Sequence, residues 1–304
     1  MDIESLHRGT VECWLDQVTQ LTPADWDSPT PCVEWSVRDV VNHVVGEDRW
    51  TVPLLAGATL EEVGSRFDGD LLGDDPIATA ADAATRALAA VQDELPDRGT
   101  VHLSYGEETA DEYVHQLAAD HLVHAWDVAA ATGRRPHLPD DLVDAVSAWF
   151  DARRPAYRAA GLIGHPYPGN DAQDSLIGAF GRRPAWGADD RTATAFARAF
   201  GAGDVDAIMA LMTDDCVFES TAPAPDGQRI EGAVAVRQVW EDLFGTTPDA
   251  AFTTEELSAG DGRAVLRWRF SWTGSDGRPG HVRGVDTLKL RDGKVCEKLS
   301  YVKG

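Results

Sequence analysis

Asp120-His121-Leu122-Val123-His124-Ala125-Trp126-Asp127 lies inside a long run without proline or glycine that reads as one helix from Thr109 to Thr132. Thr109-Ala110-Asp111-Glu112 has the form of a capping box at its start, and Gly133 supplies the stop. Tyr113, Leu117, Asp120, His124 and Val128 fall on one face at helical spacing. An apolar stripe is thus interrupted by a carboxylate and an imidazole. A buried Asp is costly unless it is paired, hydrogen-bonded or metal-bound. The spacing alone fits a metal-ligand pair and a structural Asp–His hydrogen bond equally well. Trp126-Asp127 reads as a packing and hydrogen-bonding element beside them.

Working outward, the chain before this helix supplies partners for it. Leu6, Val11, Trp14, Leu15 and Val18 form a helical stripe over residues 4–20. Three prolines follow between Thr22 and Cys32, which demands an ordered loop. Ser36 then caps a second helix, with Asp39 in its first turn and Val37, Val40, Val41 and Val44 on its buried face. His43 sits beside that face, followed at helical spacing by Glu47 and Trp50. Residues 77–94 are alanine-rich and predict a further helix before Pro96, and residues 139–152 another amphipathic one. Residues 155–170 read as irregular and Asp174–Phe180 as a short closing helix.

After Gly187-Ala188-Asp189-Asp190, read as a linker, the pattern changes. Three helical segments are followed by long runs with strand character: 252–256, 264–273, 281–290 and 295–302. Ser275-Asp276-Gly277 and Asp292-Gly293 punctuate them as hairpin turns. Helices followed by antiparallel strands indicate an α+β unit. The chain of 304 residues is long enough for two domains, and 43% hydrophobic residues can furnish two cores.

Charge excludes some functions. The 27 Lys+Arg against 51 Asp+Glu give a net −24, a field that repels nucleic acid and anionic membranes. No apolar run reaches membrane-span length, and the acidic start Met1-Asp2-Ile3-Glu4 is unlike a signal peptide. The four cysteines form no CxxC pair. The expected setting is cytoplasmic, and the expected partner a small-molecule substrate.

Three motifs carry a family resemblance. Pro29-Thr30-Pro31-Cys32 with Trp35-Ser36-Val37 and Asn42-His43, then Val123–Ala129 with Thr132-Gly133, then Gly181-Arg182-Arg183-Pro184-Ala185-Trp186 occur in order. Together they resemble the maleylpyruvate-isomerase-like N-terminal domains of the DinB superfamily, the last motif resembling an actinobacterial subgroup. The resemblance covers residues 1–187. It implies a four-helix bundle holding a divalent metal, zinc being the expected ion. It also implies a low-molecular-weight thiol, mycothiol in actinobacteria, used for isomerisation or thiol transfer to an electrophile. Carried over by motif, the implied ligands are His43, Asp120 and His124, with His121 in reserve. Better-known members have Glu where Asp120 stands, which is longer by one methylene.

Residues 188–304 resemble the SnoaL-like, ketosteroid-isomerase-like cone barrel, also called nuclear transport factor 2-like. The likeness rests on Asp214-Asp215-Cys216-Val217-Phe218, Gly232, Gly284-Val285-Asp286 and Asp292-Gly293-Lys294-Val295. Such barrels often pair through their sheets, so a homodimer is a family expectation. Strand alternation places Asp286 with Leu288 and Leu290, and Tyr301 with Val295 and Leu299. Inside an apolar cone Asp286 would act as a base with Tyr301 as hydrogen-bond donor, and Trp268 and Trp272 as lining. The fold class expected is therefore multidomain, an all-α four-helix bundle followed by an α+β cone-shaped barrel. Three functions fit it: metal- and thiol-dependent catalysis in the bundle, metal-free acid–base isomerisation, cyclisation or hydration in the barrel, or ligand binding with a structural metal.

Overall fold

The computed structural model describes every residue except Val33, Arg98, Pro136, 247–249, Ser275, Asp276 and Gly304. The turn expected at Ser275-Asp276-Gly277 therefore lies largely outside the described residues. The chain divides into two units, Met1–Ala185 and Trp186–Gly304. No described helix is long and apolar enough to cross a membrane.

The first unit is helical. α1 (Ile3–Val18), α2 (Val37–Leu55), α4 (Pro76–Glu94) and α5 (Ala110–Ala131) form a four-helix bundle, α1 packing on α4 and α5, and α2 on the same two helices. Its core is built from Trp14, Val18, the α2 valines, Ala80, Ala83, Ala125 and Val128. The small alanines of α4 and α5 let the helices approach closely. Ser36 and Asp39 form a full capping box that sets where α2 begins. Thr109 accepts from the Glu112 N–H at the start of α5, but the Glu112 carboxylate turns to Arg153 and Trp149 of α6 (Asp140–Asp151) and the residues just after it. Short α3 (Leu60–Val63) lies in the 57–75 loop. Residues 100–109 form a hairpin, β1 (Thr100–Leu103) with β2 (Gly106–Thr109). The segment expected to be irregular contains α7 (Arg154–Ala159), with Pro155 in its first turn, where a missing N–H costs nothing. α8 (Ala172–Ala179) closes the unit.

The expected linker is shorter than its glycine and aspartates suggest. Gly187 is the N-cap of α9 (Ala188–Ala202), its N–H donated to the Asp190 carboxylate, so the linker aspartates form the first helical turn. Asp204 caps α10 (Val205–Ala210), and α11 (Ala233–Thr246) follows β3 (Met212–Glu219) and the short β4 (Arg229–Glu231). β5 (Ala251–Gly260), β6 (Arg263–Thr273), β7 (Pro279–Arg291) and β8 (Lys294–Val302) complete a six-stranded sheet of order β4-β3-β8-β7-β6-β5. All pairs are antiparallel except β3 with β8. Asp292 and Gly293 both have positive φ, as the tight β7–β8 turn requires. The three helices contribute Phe196, Phe200, Ile208, Val236 and Trp240 to a core shared with the sheet's inner face.

A bulge in β8 changes which residues face inward. Lys289 pairs with Glu297, yet Leu290 pairs with Val295, so Cys296 is the extra residue on β8. Val295 and Cys296 are consequently both buried, and the alternation reverses beyond them. Lys298 and Ser300, not Leu299 and Tyr301, share the face of Asp286 and Leu288.

Candidate metal centre and the barrel interior

α2 and α5 bring His43, Asp120 and His124 together. One ligand atom from each lies within 4.8 Å of the others. His43 Nε2 is 3.2 Å from Asp120 Oδ2, and His124 Nε2 is 3.4 Å from Asp120 Oδ1. Neither approach is aligned as a hydrogen bond, and Asp120 Oδ2 is buried without a hydrogen-bond partner among the described residues. Three potential ligand atoms thus converge on one point. The His43 and Asp120 side chains are 30% and 31% exposed while His124 is 5% exposed, so the trio opens to one side.

His43 also lines a cleft of about 480 Å³, together with Glu34, Trp35, Asp39 and Asn42. The Trp35 ring stands 4.9 Å from the His43 ring and stacks 6.0 Å from that of His124. It is held there by the proline-rich loop, in which the Thr30 hydroxyl donates to the Cys32 and Trp35 carbonyls. Cys32 lies near Arg182 and Asp127, and burial pushes its thiol up to about 11. It is therefore protonated at neutral pH and is not a resident thiolate.

His124 is oriented from behind. Its Nδ1 is 2.9 Å from Asp127 Oδ2. A carboxylate only accepts, so Nδ1 carries the hydrogen and Nε2 is left facing Asp120. Asp127 is fully buried and is held by Arg182, whose Nη2 donates to it at 3.0 Å. Imidazoles bound to metals are commonly backed by a carboxylate in this way. Burial disfavours the imidazolium of His124, but the Asp120 and Asp127 carboxylates outweigh it and push the group up to about 9. Burial alone would raise the Asp120 carboxyl; the two imidazoles hold it well below the usual range. One turn beyond His43, Glu47 is raised, by burial first and then by Asp120.

His121 points elsewhere. Its Nδ1 donates to the Leu117 carbonyl at 2.7 Å, and its Nε2 faces Asp48 Oδ1 at 3.1 Å. Both ring nitrogens meet acceptors, so neither has a lone pair for a metal, and the Asp48 carboxylate raises this histidine despite the burial that opposes it. The reserve position is thus corrected: His121 belongs to an internal ion pair with Asp48, its direction turned by about 60° from that of His124. The ring of His7 from α1 meets it edge-on at 5.5 Å.

In the second unit Asp286 is interior, as its alternation implies, but it is paired. Lys298 Nζ lies 2.8 Å from Asp286 Oδ2, with both side chains 4% exposed. Tyr301, expected as the donor, is 55% exposed on the opposite face, because the Cys296 bulge reverses β8. Trp268 is inward, while Trp272 is 37% exposed. Alternation was counted from Val295, so the sequence reading missed Lys298; the only sequence signal was a lysine within an otherwise apolar-patterned strand.

A four-helix bundle presenting two imidazoles and a carboxylate beside an open cleft, joined to a helix-backed α+β sheet, defines a two-domain class with a candidate metal centre in its helical part. Residues 8–129 match the model of the mycothiol maleylpyruvate isomerase N-terminal domain, and residues 193–298 that of the SnoaL-like domain. The chain belongs to the mycothiol maleylpyruvate isomerase N-terminal domain family through its helical unit, and its second unit is a SnoaL-like domain. Two uncharacterized proteins of Mycobacterium tuberculosis are each 30% identical over 171 residues, covering 53% of this chain and 85% of theirs. Among solved structures, a nuclear transport factor 2-like protein of unknown function from Mesorhizobium loti is 37% identical, covering 37% of this chain and 88% of that one, with a TM-score of 0.33. One from Cytophaga hutchinsonii is 17% identical, covering 37% and 96%, with a TM-score of 0.33.

Proposed function

We propose that the helical unit is a metal-dependent enzyme that uses a small external thiol on an electrophilic substrate, by isomerisation or thiol transfer. The observation that carries this reading is the convergence of His43 Nε2, Asp120 and His124 Nε2 within 4.8 Å, with Asp120 Oδ2 left without a hydrogen bond. Two neutral imidazoles and a carboxylate are a donor set suited to zinc with a position left open. When bound, such an ion would supply a Lewis-acid centre that favours the thiolate form of an incoming thiol.

The rest is the work of this chain's own side chains. Asp127 and Arg182 hold the His124 ring with Nδ1–H on Asp127, so that Nε2 faces the site and is the nitrogen that would ligate on giving up its proton. Trp35 gives the cleft an apolar wall against both imidazoles. Glu34 and Asp39 place carboxylates at the entrance. Cys32, held protonated, does not compete with an external thiol.

Elemental analysis of the purified chain tests the metal reading directly. About one equivalent of a divalent ion is expected in the wild type, with loss in His43→Ala and in His124→Ala. A wild-type chain that binds no divalent ion after reconstitution sinks it. Thiol use is tested by turnover of maleylpyruvate and of conjugated cis-enoates with and without mycothiol. A second reading places acid–base isomerase, cyclase or hydratase chemistry in the barrel. It is favoured by Asp286, which is buried on the inner face with Oδ1 unpartnered. Asp286→Asn with unaltered turnover of a barrel substrate would exclude it.

A further inference from the structure

The chain carries 27 basic side chains, and only four are lysine: Lys289, Lys294, Lys298 and Lys303. Three of these are exposed and Lys298 is buried. Elsewhere the chain uses arginine for its internal ion pairs, Arg182 with Asp127 and Arg153 with Glu112. Arginine is the better residue for a purely structural pair, because its fork binds a carboxylate at two points and never loses its charge. Lysine differs in one property that matters here: once deprotonated, it is a nucleophile.

The surroundings of Lys298 suit that use. Nζ lies 5.0–5.5 Å from the ring centroids of Phe200, Phe218 and Trp240, so it is desolvated by aromatic faces. Asp286 Oδ2 stands at 2.8 Å, ready to accept a proton, and Nζ donates to Ser300 Oγ at 2.7 Å. Asp286 Oδ1 and the indole N–H groups of Trp240 and Trp268 are buried without partners among the described residues. One unsatisfied acceptor and two unsatisfied donors therefore accompany one amine in the same interior. Ser300, Phe252 and Phe270 on the same sheet are half-buried.

We propose that Lys298 captures the carbonyl group of a small, largely apolar aldehyde or ketone as an imine inside the barrel. Asp286 takes one proton from the ammonium. The freed Nζ lone pair bonds to the carbonyl carbon, and the carbonyl electron pair moves to oxygen. That oxygen receives the amine's second proton and the proton held by Asp286, and it departs as water as the C=N bond forms. Ammonium and carbonyl compound thus give the protonated imine and water, the third proton staying on nitrogen and Asp286 ending as the carboxylate it began, with no oxidant or reductant. This activity is independent of the metal reading of the bundle. It shares with the acid–base reading of the barrel only the use of Asp286 as proton acceptor.

The test is reductive trapping on the full chain. Wild type is incubated with butanal or with benzaldehyde, treated with borohydride, and mapped by peptide mass spectrometry. The three exposed lysines are internal controls. The reduced adduct is expected on Lys298 at least tenfold above any of them. Lys298→Arg keeps the ion pair and should lose this adduct while its thermal melt and the labelling of the other lysines stay as in wild type. Asp286→Asn should slow capture at least tenfold. Loss of activity toward a barrel substrate in Asp286→Asn but not in Lys298→Arg would leave the acid–base reading standing and remove this one. Labelling of Lys298 no greater than that of the exposed lysines, in a chain that melts normally, overturns the proposal and leaves Lys298 a structural partner of Asp286.

Discussion

Asp127→Asn is the most informative single change in the helical unit. Asparagine keeps the size of the side chain and can still accept the His124 Nδ1–H bond through its amide oxygen. It removes the charge that Arg182 faces at 3.0 Å, with Asp127 fully buried and Arg182 14% exposed. Breaking a buried ion pair by neutralising one member typically costs about 3–5 kcal/mol, because the other charge stays uncompensated. The same change weakens the orientation of His124, and loss of a carboxylate behind a metal-binding imidazole costs about 10–100-fold in metal affinity. Chemical denaturation and metal titration of the same preparations read both quantities. In Asp127→Asn with Arg182→Met the stranded charge is gone, so most of the stability returns, while metal affinity stays low because the imidazole still lacks its carboxylate. A single variant within about 1 kcal/mol of wild type and with unchanged metal affinity would refute the reasoning.

Three further outcomes are expected. His7 is fully buried with neither ring nitrogen hydrogen-bonded, and burial holds it down to about 3. Between the ordinary histidine value and that one, the unfolded chain binds a proton that the folded chain does not, so the contribution is complete above about 6.5 and falls as the pH drops. Each pH unit removes about 1.4 kcal/mol, so His7→Leu should gain about 2 kcal/mol on wild type between pH 7 and pH 5 in urea melts, and parallel curves would count against this. Gly284→Ala places a methyl 2.3 Å from the Trp268 ring and 2.4 Å from the Tyr301 carbonyl, which should cost about 1–3 kcal/mol and alter tryptophan fluorescence. Ser36→Ala removes half of the capping box of α2, at a cost of about 1 kcal/mol in the melt, and an unchanged melt would show the cap to be idle.

How much of this was legible in the sequence depends on how local its cause is. The helices of the bundle announce themselves through caps and stripes: Ser36 with Asp39, Thr109 before α5, the valines of α2. His43, Asp120 and His124 follow from helical spacing and motif, and the structure brings the three together. What lay behind them was not legible. Arg182 is 55 residues from Asp127, and Asp48 is 73 from His121, so neither pairing has any periodic signature. α5 is buried on almost every side, so its polar residues stand out against no solvent-facing stripe. In the barrel, a single extra residue at Cys296 was enough to send Tyr301 outward and Lys298 inward. Period-two reasoning holds only as far as the nearest bulge.

The burial of α5 has one more consequence. A helix sheathed in alanine, valine and leucine could turn about its own axis with little change in the apolar surface it hides. What forbids this is a set of polar pairs, each satisfied at one rotation only: Tyr113 with Thr51, His121 with Asp48, Asp127 with Arg182. They act like the teeth of a key, selecting a single angular setting from several that the oily contacts alone would accept. A chain stripped of these teeth by apolar replacements of equal volume could keep its helical content and even its melting point. Its methyl resonances would broaden as α5 sampled neighbouring settings, and the three atoms that now converge at His43, Asp120 and His124 would no longer meet.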